Sequence, residues 1–179
     1  MTVGNYAGIG FVVGLMFAAV LCVILFKFAN SNRRIKSEYD ERQEALRNKG
    51  YKYSFYTVLA LEAVMTILSV SEVTFAFPVY LIHLGIILAG CLVLCVYCIW
   101  NDVYWGLNNN RKRYTAIVVI AIVMNIIPII AGIANGSLFE GGAIDAMPVM
   151  NIMVIVWMAI IGVAAIIKKL FAKNEEEEA

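Results

Sequence analysis

Five long apolar runs, separated by short polar gaps, dominate the pattern of this 179-residue chain. A helix needs about 20 apolar residues to cross the roughly 30 Å of hydrocarbon in a bilayer. Because lipid leaves an open segment no other way to pair its backbone polar groups, we expect every run to be a helix. The pattern predicts an all-α integral membrane bundle of five transmembrane helices in one domain, 1–179. The predicted spans are about 5–29, 54–71, 78–100, 114–134 and 149–171.

The composition agrees with this prediction. Hydrophobic residues make up 62% of the chain, and its mean hydropathy is +0.81. Such a chain has too little polar surface to cover a soluble globule of its size. The gaps contain no Pro/Gly/Ser-rich linker that would separate two domains, so we expect a single membrane domain.

The basic residues indicate which way round the chain sits. All 14 Lys and Arg residues fall in three patches: from the end of the first run onward, between the third and fourth, and from the end of the fifth onward. By the positive-inside rule, these patches lie in the cytoplasm. The N-terminus is then outside and the C-terminus cytoplasmic, as an odd number of spans requires. We predict a multi-pass protein of the plasma membrane.

The first run differs from a secretory signal peptide in two ways. No basic residue precedes it, since its first charge is Lys27 near its end, and its apolar stretch is too long. We therefore expect a retained helix with its N-terminus outside.

A charged segment follows the first run. Residues 33–49 predict a helix along or below the inner leaflet, in which Glu38 and Arg42 have the favourable i,i+4 order. Gly50 then permits a bend into the second span. Two interpretations remain open: a solvated linker helix held near anionic lipid by its positive charge, or a docking surface for a cytoplasmic partner. At the other end, the acidic tail 174–179 is expected to be disordered.

Within that segment, four residues spell D-E-R-Q shortly before the second span: Asp40, Glu41, Arg42 and Gln43. With the basic and aromatic stretch at 49–55, the motif resembles the signature of small uncharacterised bacterial multi-span membrane proteins, chiefly from Gram-positive lineages. That group has no established activity. Its members are often encoded beside small helix-turn-helix regulators, which implies signalling, immunity or stress response. As part of the charged segment, these four residues are the candidates for docking of a cytoplasmic partner.

Two ionisable side chains interrupt the apolar runs, Glu62 in the second and His83 in the third. Ionisable groups at such depth are costly and usually face a bundle interior or a wet cavity. At 1.5 Å per residue from the outer helix ends, their depths differ by about 6 Å, which is within side-chain reach. A Glu–His pair can relay a proton or bind a cation. The alternative is a neutral Glu62 that donates a hydrogen bond to a neighbouring helix.

Asn125, three residues before Pro128 in the fourth run, completes the candidate intramembrane polar site. The proline removes the amide that would bond to the Met124 carbonyl, so we expect a kink, with Asn125 satisfying a freed backbone group. Such kinks line sites in transporters, and they also occur as plain packing features.

Cysteines and small residues predict packing. Cys91, Cys95 and Cys98 recur on one face of the third run. In hydrocarbon, cysteine is usually a small apolar packing residue, so we expect no metal site and no disulfide. Small residues recur every four positions in the first run (Gly10, Gly14, Ala18) and once a turn in the fifth (Ala159, Gly162, Ala165). They allow close helix approach, either within the chain or in a homo-oligomer.

The sequence lacks the motifs that carry common chemistries. It has no phosphate-binding glycine loop, no zinc-protease or nucleophile-elbow motif, and a single histidine. We therefore expect no enzyme activity, no catalytic residue, no cofactor and no nucleic-acid partner. The expected partners are the lipid bilayer, a protein at the cytoplasmic face and a second copy. The leading hypothesis is a sensor, immunity or regulatory subunit; the rival is a small transporter or channel component that uses Glu62 as a protonation or ion site.

Overall fold

The computed structural model describes residues 3–71, 73–75, 77–136, 139–140, 143–144 and 146–177. Its helices are α1 Val3–Ala29, α2 Glu41–Val70, α3 Val79–Trp100, α4 Arg111–Ala134 and α5 Ala146–Glu177. Between α4 and α5, the two-residue strands β1 Phe139–Glu140 and β2 Ala143–Ile144 pair antiparallel.

All five helices are long and apolar enough to cross a membrane. This confirms the predicted helical class and the number of candidate spans. The short β1–β2 pair was not predicted, because two-residue strands leave no alternation of apolar and polar positions to detect. The largest differences from the predicted bounds are at the start of α2 and the end of α5.

The predicted charged helix at 33–49 is wrong in its first half. Residues 31–40 contain no helix, and α2 begins only at Glu41. From there it continues through Gly50 into the apolar part of the chain as one α-helix, so the helix is not interrupted at this glycine. A Cβ at Gly50 would lie 2.9 Å from a ring carbon of Tyr97, so close helix approach explains the glycine here.

A capping box sets the start of α2. A carboxylate oxygen of Asp40 accepts from the backbone N–H of Gln43 at 2.7 Å. The side-chain oxygen of Gln43 accepts in return from the backbone N–H of Asp40 at 3.3 Å. Such reciprocal bonds satisfy donors that a helix start leaves unpaired. Glu38 lies outside the helix and accepts from Arg34 at 3.2 Å, so the predicted i,i+4 pairing with Arg42 does not form.

The acidic tail also departs from the prediction of disorder. Helix α5 continues through residues 174–177, while 178–179 lie outside the described residues. Lysine, glutamate and alanine all have high helix propensity. Extending an existing helix adds a hydrogen bond for each residue that is ordered, without a new nucleation cost. The helix therefore extends beyond its apolar part.

The chain divides into two compact units. The single membrane domain over 1–179 stays a prediction. The first unit comprises Met1–Tyr39 and Trp105–Ile117. In it, α1 leads into the loop 30–39, and the backbone of that loop is bonded to the loop 105–110 that precedes α4. The Leu107 N–H donates to the Glu38 carbonyl at 2.7 Å.

The second unit comprises Asp40–Tyr104 and Val118–Ala179, and α3 packs against both α2 and α5 within it. Ser54 Oγ of α2 donates to the Gly90 carbonyl of α3 at 2.7 Å, and a Cβ at Gly90 would collide with Val58. These contacts bring the backbones of the two helices close together. The buried apolar residues of this unit include Met65, Leu81, Ile86, Cys98, Ile99 and Val103.

Candidate functional site

Two of the residues singled out from the sequence meet in the second unit. The Nδ1 atom of His83 on α3 lies 2.9 Å from Oε1 of Glu62 on α2. One proton is shared in this contact. Either the imidazole N–H donates to the carboxylate, or the carboxyl O–H donates to the ring nitrogen. The depths of the two side chains along their helices predicted this contact. The functional role of the pair stays a prediction.

The Glu62–His83 pair lies at the edge of the α2–α3 contact. One turn further along each helix, Met65 and Ile86 are only 4% and 7% exposed. The paired side chains themselves keep exposed fractions of 36% for Glu62 and 44% for His83. Thr66 Oγ1 donates to the Glu62 backbone carbonyl at 2.8 Å, so it leaves the carboxyl group to His83. The pair therefore has one packed side and one open side.

Asn125 is bound within its own helix. Its Nδ2 donates to the Ala121 carbonyl at 2.7 Å, one turn back along α4. Asparagine can make this bond to a carbonyl four residues earlier without leaving the helix. The acceptor is not the Met124 carbonyl that Pro128 deprives of its donor, so the expected compensation does not occur. Of the three predicted polar-site residues, the structure thus brings two together.

The D-E-R-Q residues serve different purposes. The side chains of Asp40 and Gln43 bind each other's backbone in the capping box. Glu41 and Arg42 are exposed on the first turn of α2. The motif therefore has a structural half, which begins the helix, and a surface half, which a partner can reach.

Sequence reasoning missed a polar cluster in the first unit, here called the asparagine network: Asn30, Asn32, Asn108 and Asn109. Asn30 is fully buried and Asn108 is 7% exposed. Asn109 Nδ2 donates to Asn30 Oδ1 at 2.7 Å and to Ser37 Oγ at 2.9 Å. These bonds tie the loop after α1 to the loop before α4.

The side chain of Asn108 makes three hydrogen bonds to the loop 30–39. Its Nδ2 donates to Asn32 Oδ1 and to the Lys36 carbonyl, both at 3.1 Å. Its Oδ1 accepts from the Glu38 N–H at 2.8 Å. A buried polar group without a partner costs about 1–3 kcal/mol. Both polar atoms of the buried Asn108 side chain have partners, so this cost is avoided. The consecutive asparagines at 108–110 were a visible turn signal, but their partners far along the chain were not.

The loops held by this network carry positive charge. The exposed cations of the first unit include Arg33, Arg34, Lys36, Arg111 and Lys112. Glu38 is the one acidic residue in the unit's sequence. The guanidinium of Arg113 stacks over the Phe28 ring at 5.3 Å and donates to the Phe28 carbonyl at 3.1 Å. The ordered loop surface of the first unit is therefore cationic.

In the second unit, two polar contacts bind the turn that follows α3. Arg47 of α2 donates to the carbonyl of fully buried Val103 at 3.1 Å. Lys168 of α5 forms an ion pair with Asp102 at 3.0 Å. Both contacts hold the turn after α3 against its neighbouring helices.

The cysteines differ in burial: Cys98 is buried, Cys95 is half-buried, and Cys22 and Cys91 are exposed. All four are free thiols, and Cys98 is 1% exposed in the helix contacts of the second unit. Within the described ranges, no group of three or more His, Cys, Asp and Glu residues is placed to hold a metal ion.

No protein-family model, curated protein or solved structure matches this chain. The resemblance of residues 40–43 to the D-E-R-Q group therefore stays a prediction. Function is accordingly inferred from the chain's own residues and their geometry.

Proposed function

We propose that this chain is a multi-pass plasma-membrane protein with its N-terminus outside and its C-terminus in the cytoplasm. Its five long apolar helices support insertion. Each helix also exposes large apolar side chains, among them Phe17, Ile67, Ile87, Ile120 and Ile166. Exposed apolar surface on this scale needs lipid or a partner to cover it. The confinement of all 14 cations to alternate gaps supports the orientation.

Within the membrane, we propose a non-enzymatic sensor, immunity or regulatory subunit that acts through a cytoplasmic protein partner. The observation that carries this proposal is the exposed pair Glu41 and Arg42 on the first turn of α2. The capping box fixes the start of this helix, so the two charges are presented on ordered backbone. A preordered charged surface loses less conformational entropy when a partner binds than a flexible one does.

The test separates this surface from the rest of α2. Partners would be captured with the full chain from native membranes in mild detergent and identified by mass spectrometry. The double variant Glu41→Gln with Arg42→Gln should lose at least about tenfold in recovered partner, equivalent to about 1.4 kcal/mol. The matched control, Glu44→Gln with Lys49→Gln, changes two other exposed charges of the same helix and should recover the partner normally. Equal recovery from both double variants would argue against the proposal.

A second candidate is a small transporter or channel component that uses Glu62 as an intramembrane protonation or ion site. The contact between Glu62 and His83, partly exposed on helices that are otherwise apolar there, favours it. Ionisable groups inside membrane helices commonly mark ion pathways and proton relays.

Flux measurements distinguish the two candidates. The purified full chain would be reconstituted in vesicles with an internal pH dye and subjected to a pH gradient. Glu62→Gln keeps the shape of the side chain but cannot exchange a proton, so it should abolish pH-dependent flux. Glu44→Gln, on the exposed start of the same helix, should leave flux intact. Undiminished flux in Glu62→Gln contradicts the transport candidate and leaves the regulatory one untouched.

A further inference from the structure

The open side of the Glu62–His83 pair belongs to a defined surface of α2 and α3. Residues three before and four after each member are exposed, on both helices. Three of them, Leu59, Tyr80 and Ile87, have exposed fractions of 54–55%. These four exposed residues and the pair form what is here called the pair face: Leu59, Glu62, Thr66, Tyr80, His83 and Ile87.

The pair does not use all its hydrogen-bonding capacity. The internal contact joins Oε1 of Glu62 to Nδ1 of His83. Within the described residues, Oε2 of Glu62 and Nε2 of His83 make no hydrogen bond. Lipid tails can neither donate nor accept hydrogen bonds, so polar atoms left open at this depth are costly. The centre of the pair face therefore requires a polar partner, although its rim is largely apolar.

The unused atoms are complementary to themselves. A pair with no net charge is either imidazolium with carboxylate or imidazole with carboxylic acid. In both states the shared proton lies between Oε1 and Nδ1, so Nε2 carries a hydrogen and Oε2 can accept one. Two such pairs related by a two-fold axis can donate Nε2–H to Oε2 in both directions. An isologous interface needs this kind of self-complementary patch.

We propose that a second copy of this chain covers the pair face in a two-fold symmetric dimer. In it, Glu62 of each copy accepts a hydrogen bond from His83 of the other. The apolar rim, Leu59, Tyr80 and Ile87, packs around these bonds and excludes lipid. Each copy thus completes the polar site of its partner, and the interface is independent of whether the protein transports an ion.

The experiment measures association of the full chain in lipid vesicles. Fluorescently labelled protein is diluted into phosphatidylcholine–phosphatidylglycerol vesicles, and the monomer–dimer equilibrium is followed by single-molecule photobleaching. The natural chain should dimerise. Glu62→Leu and His83→Leu each remove both symmetric bonds and should weaken the dimer by about tenfold. Asn125→Leu, the matched control, removes an amide bound within its own helix and should leave the equilibrium unchanged.

Two further variants keep the result interpretable if a leucine variant misfolds. Exchanging the pair, Glu62→His with His83→Glu, retains the self-complementary atoms and should restore dimerisation. Ile87→Trp leaves the pair intact but obstructs the rim, so it should also favour the monomer. Circular dichroism checks the helical content of each variant.

Three outcomes overturn the inference. The first is a folded natural chain that stays monomeric at all dilutions. The second is a dimer that the leucine variants form as tightly as the natural chain. The third is a complex in which a different membrane protein, and no second copy, covers the pair face. pH-dependent flux by a monomer would reject the dimer and leave the transport candidate standing.

Discussion

Asp40 and Gln43 hold each other's backbone at the start of α2, and this exchange accounts for two of the four residues in the D-E-R-Q stretch. An N-cap acid with glutamine three positions later is a recognisable helix-start signature. It was readable from the sequence, but the density of charged helix formers in 33–49 favoured an earlier start. The exposed residues, Glu41 and Arg42, remain the candidates for contact with a partner.

Asp40→Ala should lower the free energy of unfolding by about 1 kcal/mol, since the first turn of α2 loses its cap. Denaturant unfolding of the detergent-solubilised protein, followed by circular dichroism, measures the change. Glu41→Ala alters the next residue, which is not part of the capping box, and should change stability by less than about 0.5 kcal/mol. Equal stability of the Asp40 variant and the natural chain would exclude the capping role.

The contact between α2 and α3 shows how whole elements associate here. At Gly50 and Gly90 the facing helix lies so near that an added Cβ would clash with a side chain. Ser54 then reaches the Gly90 carbonyl. In lipid, no hydrophobic effect drives helices together. Membrane helices therefore use small residues at such crossings, which allow close van der Waals packing. The same approach brings Glu62 and His83 into contact further along the helices.

Gly90→Ala should destabilise this contact by about 1–3 kcal/mol, because the added methyl group meets Val58 with little room to move. Gly162→Ala on α5 is the matched control. Nothing lies within 4 Å of a Cβ there, so that substitution should be neutral or slightly stabilising.

Unfolding of both variants in detergent provides the measurement, and Val58→Ala added to Gly90→Ala should recover part of the loss. If Gly90→Ala were as stable as the natural chain, the close approach of α2 and α3 would be refuted.

At the scale of the molecule, charge placement carries the proposed orientation. Cations crowd the loops of the first unit and the end of α5, while the segment between α4 and α5 carries no basic residue. Moving a lysine or arginine through the centre of a bilayer costs about 2.5–3.5 kcal/mol on translocon scales. The proposed orientation keeps the cations on the cytoplasmic side, so none of them has to cross the bilayer.

A thiol-labelling experiment checks the orientation. A reagent that cannot enter cells should modify Glu140→Cys in intact cells, and should modify Lys112→Cys only after permeabilisation. The natural chain, with its four cysteines in apolar helices, measures the background. The reverse labelling pattern would invert the proposed topology and move the proposed docking surface outside.

Much of the candidate site was predictable along with the helices. The Glu62–His83 contact followed from depth along two helices joined by a short turn, which is a local geometric argument. Asn125 does not compensate for Pro128, because its amide donates to the Ala121 carbonyl one turn back in its own helix. The partial exposure of the Glu62–His83 pair could not be predicted, because it depends on neighbouring side chains that the periodicity of the sequence does not specify.

The sequence alone determined the number of candidate spans and the sorting of cations, because both depend on length and composition added up residue by residue. Only the tertiary structure decided which loops bind each other. Asn109 finds its acceptor on Asn30, 79 positions earlier in the chain. Hydrogen bonds between segments so far apart leave no periodic trace in either segment. They depend on which segments the folded chain brings together, and a pattern within one segment does not encode that.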